Sequence, residues 1–322
     1  RNNLYSLWTN YCVSESYEPG STFKPVTVAS ALEEGVVKDG DTYVCKGFET
    51  VADYKLKCHV FSTIGSHGSL TVEQALMNSC NPYMIHLALE MGNSRFAYYQ
   101  SLFGFGKITG IDLPGETTGI VYGDRMTTID AACNSFGQTI NVNMMQMMAA
   151  YCSIINGGML YQPHIVKRIE SANGEVVKEY KANLVRQTIT ASTSKLLRRY
   201  LKNTVEEGTA KKAGVTGYSV AGKTGTAQKG DRKDNKWIIS FIGHAPAENP
   251  KFAIYVVIDE PYGTTGTSGS SADVLTLTHN ILEKLLPYMN VYKDASDEYE
   301  DTSSSPDELT VDGIPAGTVS SN

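Results

Sequence analysis

Three short strings carry side chains able to do nucleophilic chemistry. The first is Ser21-Thr22-Phe23-Lys24, entered through Glu18-Pro19-Gly20. Pro19-Gly20 breaks the chain ahead of a helix, which puts Ser21 at or near a helix N-terminus and Lys24 one turn on, along the same face. A serine hydroxyl attacks only when a base takes its proton. An ammonium becomes that base when burial or a cationic neighbour lowers its pKa. The positive end of the helix dipole favours an oxyanion beside Ser21. The second string is Ser79-Cys80-Asn81, followed by Pro82. It fits a loop between helices, with Ser79 as a proton relay and Asn81 as an amide that holds a peptide. The third is Lys223-Thr224-Gly225-Thr226. Small residues with Thr and Gly alternating suit an edge strand whose bare backbone approaches a ligand. Lys223 brings positive charge, Thr224 and Thr226 bring hydroxyls for a carboxylate, and the N–H groups of Ser21 and Thr226 would form an oxyanion hole.

Each string alone has a plainer reading: a capping serine with an exposed lysine, a polar turn, a glycine-rich hairpin. Residues 217–224 also match the G-x-x-x-x-G-K-T phosphate loop. That rival lacks an apolar strand before Gly217, because residues 210–216 are polar and basic.

The elements that must hold these strings are legible as periodicities. Residues 22–34, 71–91, 143–155, 192–207 and 274–286 read as helices, with the second interrupted near Asn81-Pro82. Residues 237–243 and 252–258 read as adjacent strands joined by a turn. The fold class this predicts is α+β: an antiparallel sheet flanked by helices, with an all-helical lobe. The domain spans 1–290, and 291–322 reads as a disordered, Ser-rich acidic tail. The chain has 322 residues, 41% hydrophobic, with a net charge of −6. The segment 290–322 carries one Lys and eight acids, so the body before it is close to neutral and no nucleic-acid footprint is expected. No apolar run is long enough to cross a membrane.

In this order the three strings resemble the active-site set of the penicillin-recognising serine acyl-transferases. Longer strings are similar to the transpeptidase domain of class B penicillin-binding proteins. These are Tyr17-Glu18-Pro19-Gly20-Ser21-Thr22-Phe23-Lys24, Ser79-Cys80-Asn81-Pro82, Phe136-Gly137-Gln138, Asn156-Gly157-Gly158 with Pro163-His164, Gly222-Lys223-Thr224-Gly225-Thr226-Ala227, and Val257-Ile258-Asp259-Glu260-Pro261. The resemblance covers about residues 5–287 and leans toward division- or sporulation-type members of Gram-positive anaerobes. It implies a β-lactamase/transpeptidase-like fold and a peptidoglycan D,D-transpeptidase. Ser21 would attack the D-Ala–D-Ala carbonyl of a stem peptide, with Lys24 as base and Ser79 passing the proton to the leaving group. Asn81 would hold the peptide amide, and Lys223 with Thr224, Gly225 and Thr226 the terminal carboxylate. β-Lactams would acylate Ser21. No cofactor is implied for catalysis. A membrane glycosyltransferase is an implied partner, and the extracytoplasmic face of the membrane, reached by an N-terminal anchor, the implied location. The same strings occur in β-lactamases, which need a water-activating base, and in β-lactam sensor domains. A degenerate peptidoglycan-binding module is the non-enzymatic alternative.

Residues 45–67 stand apart, holding two of the six Cys and two of the six His in a polar segment with little core. A structural Zn²⁺ on Cys45, Cys58, His67 and Asp53 would order it. Asp53 is preferred to His59 because adjacent residues on a strand point oppositely. A Cys45–Cys58 disulfide and free thiols are the alternatives. Cys133 and Cys152 read as inert core thiols, and the Cys80 side chain should point away from the catalytic pair beside it.

Overall fold

The computed structural model describes residues 8–230, 236–261 and 271–294. A 3₁₀ turn, Gly20–Phe23, runs straight into helix α1, Lys24–Glu34, which stops at Gly35 in the left-handed conformation. Four short strands follow: β1 (Thr42–Cys45), β2 (Phe48–Val51), β3 (Tyr54–Lys57) and β4 (Gly68–Thr71). Helix α2, Val72–Met77, opens with a capping box in which Thr71 and Gln74 exchange hydrogen bonds. A three-residue break separates it from α3, Asn81–Met91, whose second residue is Pro82. Proline is tolerated there because the first N–H groups of a helix have no partner in it.

Next come α4 (Asn93–Leu102), α5 (Thr128–Asn134) and α6 (Met144–Ile155). The Met-rich α6 is buried between the lobe and the sheet side, as its near-continuous apolar sequence requires. Strands β5 (Met159–Gln162), β6 (Arg168–Glu170), β7 (Val176–Glu179) and β8 (Asn183–Gln187) precede α7 (Ala191–Glu206). The chain then builds β9 (Ala221–Lys229), β10 (Lys236–Ala245), β11 (Phe252–Asp259) and α8 (Ser271–Tyr288).

The main sheet is antiparallel in the order β11-β10-β9, with Ser240 opposite Gly225 and Ile239 opposite Thr226. Alternation along β10 sorts its side chains between two layers. Ile239, Phe241 and Ala245 face Val274, Leu275, Leu282 and Leu286 of α8. Ile238 and Ile242 join the main core with Phe23, Tyr83, Phe96, Tyr151 and Tyr200. Each fully buried side chain of that size contributes about 1.5–3 kcal/mol over its exposed state.

The α+β class stands. The lobe expected to be all helix also carries two-stranded ribbons, β1 with β4, β2 with β3, β5 with β8 and β6 with β7. Their strands are three to five residues long, too short for periodicity to register. The phosphate-loop reading fails on topology. Gly222, Lys223 and Thr224 lie inside strand β9, and no helix begins there to offer its N-terminus to a phosphate. The ordered body also runs past residue 290, since Val291 is buried and Asp294 N donates to Gly217 O. From residue 295 onward the expected acidic tail lies outside the described residues.

Candidate active site

The three strings converge at the open edge of β9. Within the 3₁₀ turn, residues three apart eclipse each other, which stacks Ser21 and Lys24 on one side. The break between α2 and α3 brings Ser79, Cys80 and Asn81 to the same place. Ser79 takes a left-handed backbone, φ 54°, a conformation that costs a non-glycine residue about 1–2 kcal/mol. Packing on both sides holds it there, and its hydroxyl meets three partners.

Lys24 Nζ donates to Ser79 O at 2.6 Å, to Ser79 Oγ at 3.0 Å and to Asn81 Oδ1 at 2.6 Å. Lys223 Nζ donates to the same Ser79 Oγ at 3.1 Å and to Thr224 O at 3.2 Å. Ser79 Oγ in turn donates to Ser21 Oγ at 3.0 Å. Ser79 is therefore the hub. Among the described residues no hydrogen bond joins Lys24 directly to Ser21, so the link between expected base and expected nucleophile runs through the Ser79 hydroxyl.

Both lysines are fully buried. Burial lowers the Lys24 pKa to about 8, against the opposing charge of the Cys58 and Cys80 thiols. Burial, with the Lys24 charge added to it, holds Lys223 well below the ordinary lysine range. A buried ammonium is costly, and among the described residues neither amine bonds to a carboxylate, which makes proton loss easier.

Glycine is needed where backbones touch. A Cβ on Gly225 would lie 2.8 Å from Thr22 Cγ2 and 3.0 Å from Pro19 O, so only glycine lets β9 lie against the Ser21 turn. Gly137, at φ 80°, accepts through its carbonyl the N–H of Gly20 at 2.9 Å, and a Cβ there would overlap the Gly20 carbonyl. The Thr226 carbonyl faces Gly20, away from β10. In an antiparallel strand the N–H and C=O of one residue face the same side, so the Thr226 N–H also opens toward the Ser21 turn.

A cleft of about 360 Å³ exposes this constellation, with Ser21, Ser79, Asn81, Thr224 and Thr226 in its wall. His59, Gln138, Thr209, Trp237 and Ser271 also line it, beside Phe136. Sequence reasoning gave none of these five a place there. The run Phe136-Gly137-Gln138 was a visible signal, and Trp237 opposite Gln228 follows from strand pairing. Thr209 and His59 left no local signal.

The family description "Penicillin binding protein transpeptidase domain" matches residues 1–283. The chain belongs to this family. Stage V sporulation protein D of Bacillus subtilis is 41% identical over 288 residues, covering 88% of this chain and 44% of that protein. The peptidoglycan D,D-transpeptidase FtsI of Escherichia coli is 32% identical over 292 residues, covering 89% of this chain and 46% of that protein. The chain thus spans under half the length of these curated relatives, and they are class B penicillin-binding proteins, as the strings implied. Penicillin-binding protein 3 of Mycobacterium tuberculosis superposes with a TM-score of 0.79 at 28% identity, covering 88% of this chain and 66% of that one. Its complex with aztreonam gives 0.79 at 29% identity, covering 88% and 65%.

Beneath the Ser79–Asn81 loop of this transpeptidase domain lies a cysteine cluster. Cys45 Sγ, Cys58 Sγ, His67 Nδ1 and Cys80 Sγ all lie within 4.8 Å of one another. His67 Nδ1 is 3.8 Å from Cys45 Sγ and 3.5 Å from Cys58 Sγ. Asp53 is not among them. It sits exposed in the turn between β2 and β3. The fourth member is Cys80, whose side chain turns away from Ser79 and Asn81, as expected, and into the cluster. The reason is the break after α2: with Ser79 and Asn81 aimed at Lys24, the residue between them points to the opposite side. All six cysteines are free thiols, which leaves the Cys45–Cys58 disulfide unformed. A hydrogen bond from Cys80 holds the Cys58 thiol well below its usual range. Cys152 is pushed up to about 11 by burial, in keeping with an inert thiol.

Proposed function

We propose that this chain is a peptidoglycan D,D-transpeptidase that works through an acyl-enzyme on Ser21 and is inhibited by β-lactams. The observation that carries the reading is the chain of hydrogen bonds from Ser21 through Ser79 to a buried Lys24 of lowered pKa. With Lys24 charged, every donor in the chain points toward Ser21. Once Lys24 is neutral the chain reverses. Ser21 donates to Ser79, Ser79 donates to Lys24 Nζ, and the Ser21 oxygen attacks the carbonyl of the penultimate D-Ala. The oxyanion lies between the N–H groups of Ser21 and Thr226. Ser79 then returns the proton to the departing D-Ala nitrogen. Lys223 and Thr224 stand where the terminal carboxylate of D-Ala would be held, and Asn81 where the peptide amide passes. The amine of a second stem peptide releases the acyl group and forms the cross-link.

None of the described residues in the cleft wall around Ser21 is an Asp or Glu. A β-lactamase needs a base to activate water, so this cleft favours a long-lived acyl-enzyme. The test is intact-mass spectrometry after mixing with penicillin, with Ser21→Ala as control. A lasting adduct, lost in the control, is expected. Rapid loss of the adduct with consumption of penicillin would instead make the chain a β-lactamase, and no adduct would return the binding-module reading. The proposal extends to a location on the extracytoplasmic face of the membrane and to work beside a glycosyltransferase, both supported by the family alone.

We further propose that Cys45, Cys58, His67 and Cys80 hold a structural Zn²⁺. A tetrahedral zinc with sulfur ligands at about 2.3 Å separates them by roughly 3.8 Å, and the donor spacing supports that geometry. Bound there, the ion would supply no chemistry to the reaction. It would fix Cys80 and thereby the loop that carries Ser79 and Asn81. Metal analysis should find about one zinc per chain, falling sharply in Cys80→Ser and unchanged in Asp53→Asn. Zinc below about 0.2 per chain in well-folded protein would end this reading.

A further inference from the structure

One segment, residues 135–142, grips the chain on both sides of Ser21. Ser135 O accepts the Thr27 hydroxyl at 2.8 Å, and Gly137 O accepts the Gly20 N–H at 2.9 Å. The Thr139 N–H donates to Glu18 Oε1 at 2.8 Å. Val142 and Tyr17 exchange backbone hydrogen bonds at 3.0 and 3.1 Å. To meet all of these partners the segment must bend. It does so at Gly137, with φ 80°, and again at Thr139, with φ 59°. Glycine takes such a conformation freely, whereas a β-branched residue in it is strained. A strained residue persists only where its surroundings hold it, and strain of this kind gathers at functional sites.

Asn134, the last residue of α5 and fully buried, holds the threonine. Its Nδ2 donates to Gln138 O at 3.0 Å and to Thr139 Oγ1 at 2.9 Å, and its Oδ1 accepts from Gln100 Nε2 at 3.1 Å. The direction of both amides is forced. A backbone carbonyl can only accept, so Asn134 must turn its Nδ2 toward Gln138 and its Oδ1 toward Gln100. Gln100, also fully buried, must then present its Nε2. Its Oε1 is left with no hydrogen-bond partner among the described residues. A stranded buried oxygen and a strained threonine are both unfavourable, and the one Asn134 amide joins them. Packing the end of α5 requires neither.

We propose that Asn134 is a positioning residue for acylation: by pinning Thr139 in the left-handed conformation it fixes segment 135–142, and through that segment the turn that carries the Ser21 hydroxyl and N–H. The assignment rests on the transpeptidase reading above and says how its nucleophile is held. Asn134 does not line the cleft, so it acts on Ser21 only through this turn.

The test is the saturating rate of acylation by a fluorescent penicillin, with a melting midpoint recorded for each variant. Asn134→Ala removes the Nδ2 donor and should slow acylation by at least about tenfold, the scale on which a small misplacement of a reacting group is felt. Thr139→Val keeps the branched side chain, and with it the strain, but loses the oxygen that Asn134 grips. Thr139 is exposed, so this variant should fold, and it should slow acylation by a similar factor. The third variant combines Asn134→Ala with Thr139→Gly. Glycine needs no holder at that φ, so acylation should recover to within about threefold of the unmodified protein. A role confined to packing predicts no such recovery, because the space left by Asn134 is still there. Undiminished acylation in Thr139→Val, or no recovery in a well-folded double variant, overturns the proposal. If the Asn134→Ala proteins do not fold, Thr139→Val decides alone. Failure of the underlying reading looks different: the unmodified protein itself would form no penicillin adduct.

Discussion

The rate of acylation should follow the deprotonation of Lys24. An ordinary lysine near 10.5 is neutral in only about 0.03% of molecules at pH 7, whereas one near 8 is neutral in about 9%. The fully buried Lys24 is held at about 8. The difference is roughly 300-fold in available base, equivalent to about 3 kcal/mol. Only the neutral amine reverses the Ser21–Ser79–Lys24 chain, so the sign is fixed: acylation rises with pH. The expected rise is about ninefold from pH 6 to 7, about fivefold from 7 to 8 and under twofold from 8 to 9. The cause is burial, with no exposed ion pair to screen, so the midpoint should barely move between low and high salt. The assay is stopped-flow acylation by a fluorescent penicillin from pH 6 to 10, under conditions where binding is saturated. A flat profile would refute the lysine base. A rate still climbing tenfold per unit beyond pH 9.5 would refute the lowered pKa. Ser79→Ala should depress the plateau by about a hundredfold or more without moving the midpoint far, because the relay is lost while the amine stays buried.

Two further outcomes follow from the geometry. Gly137→Ala places a methyl group against the Gly20 carbonyl at a left-handed φ, so the Ser21 turn must shift. Acylation should fall by about a hundredfold, the cost of misplacing one oxyanion donor, and a melting scan with the same penicillin titration checks it. His244 is fully buried, donates or accepts through Nδ1 with Tyr151 Oη at 2.8 Å, and is held at about 4 by burial. Its neutral form belongs to the fold, so its contribution is present above the unfolded pKa of about 6.5 and lost as pH falls toward 4, up to about 3 kcal/mol. Urea midpoints should drop between pH 7 and 5, and NMR titration should find His244 unprotonated at pH 5. A His244 resonance titrating near 6.5 would contradict this.

What the sequence determined by itself was the set of candidate reacting groups and the long elements that carry them. Ser21, Lys24, Ser79, Asn81, Lys223 and Thr226 are legible because their spacing is set locally, by a turn, a helix break and a strand. The long helices and the paired strands β10 and β11 are legible because their apolar periods repeat over enough residues to stand out. The short ribbons are not, since strands of three to five residues take their shape from neighbours distant in sequence. Only the tertiary structure decided which groups touch. It made Ser79 the hub between two lysines that are 199 positions apart in the chain. It put Cys80, and not Asp53, beside Cys45, Cys58 and His67, because a residue's direction within a helix break is set by what its two neighbours bind. It also lowered the Lys24 pKa, since desolvation depends on everything packed around an amine and on nothing in its local string.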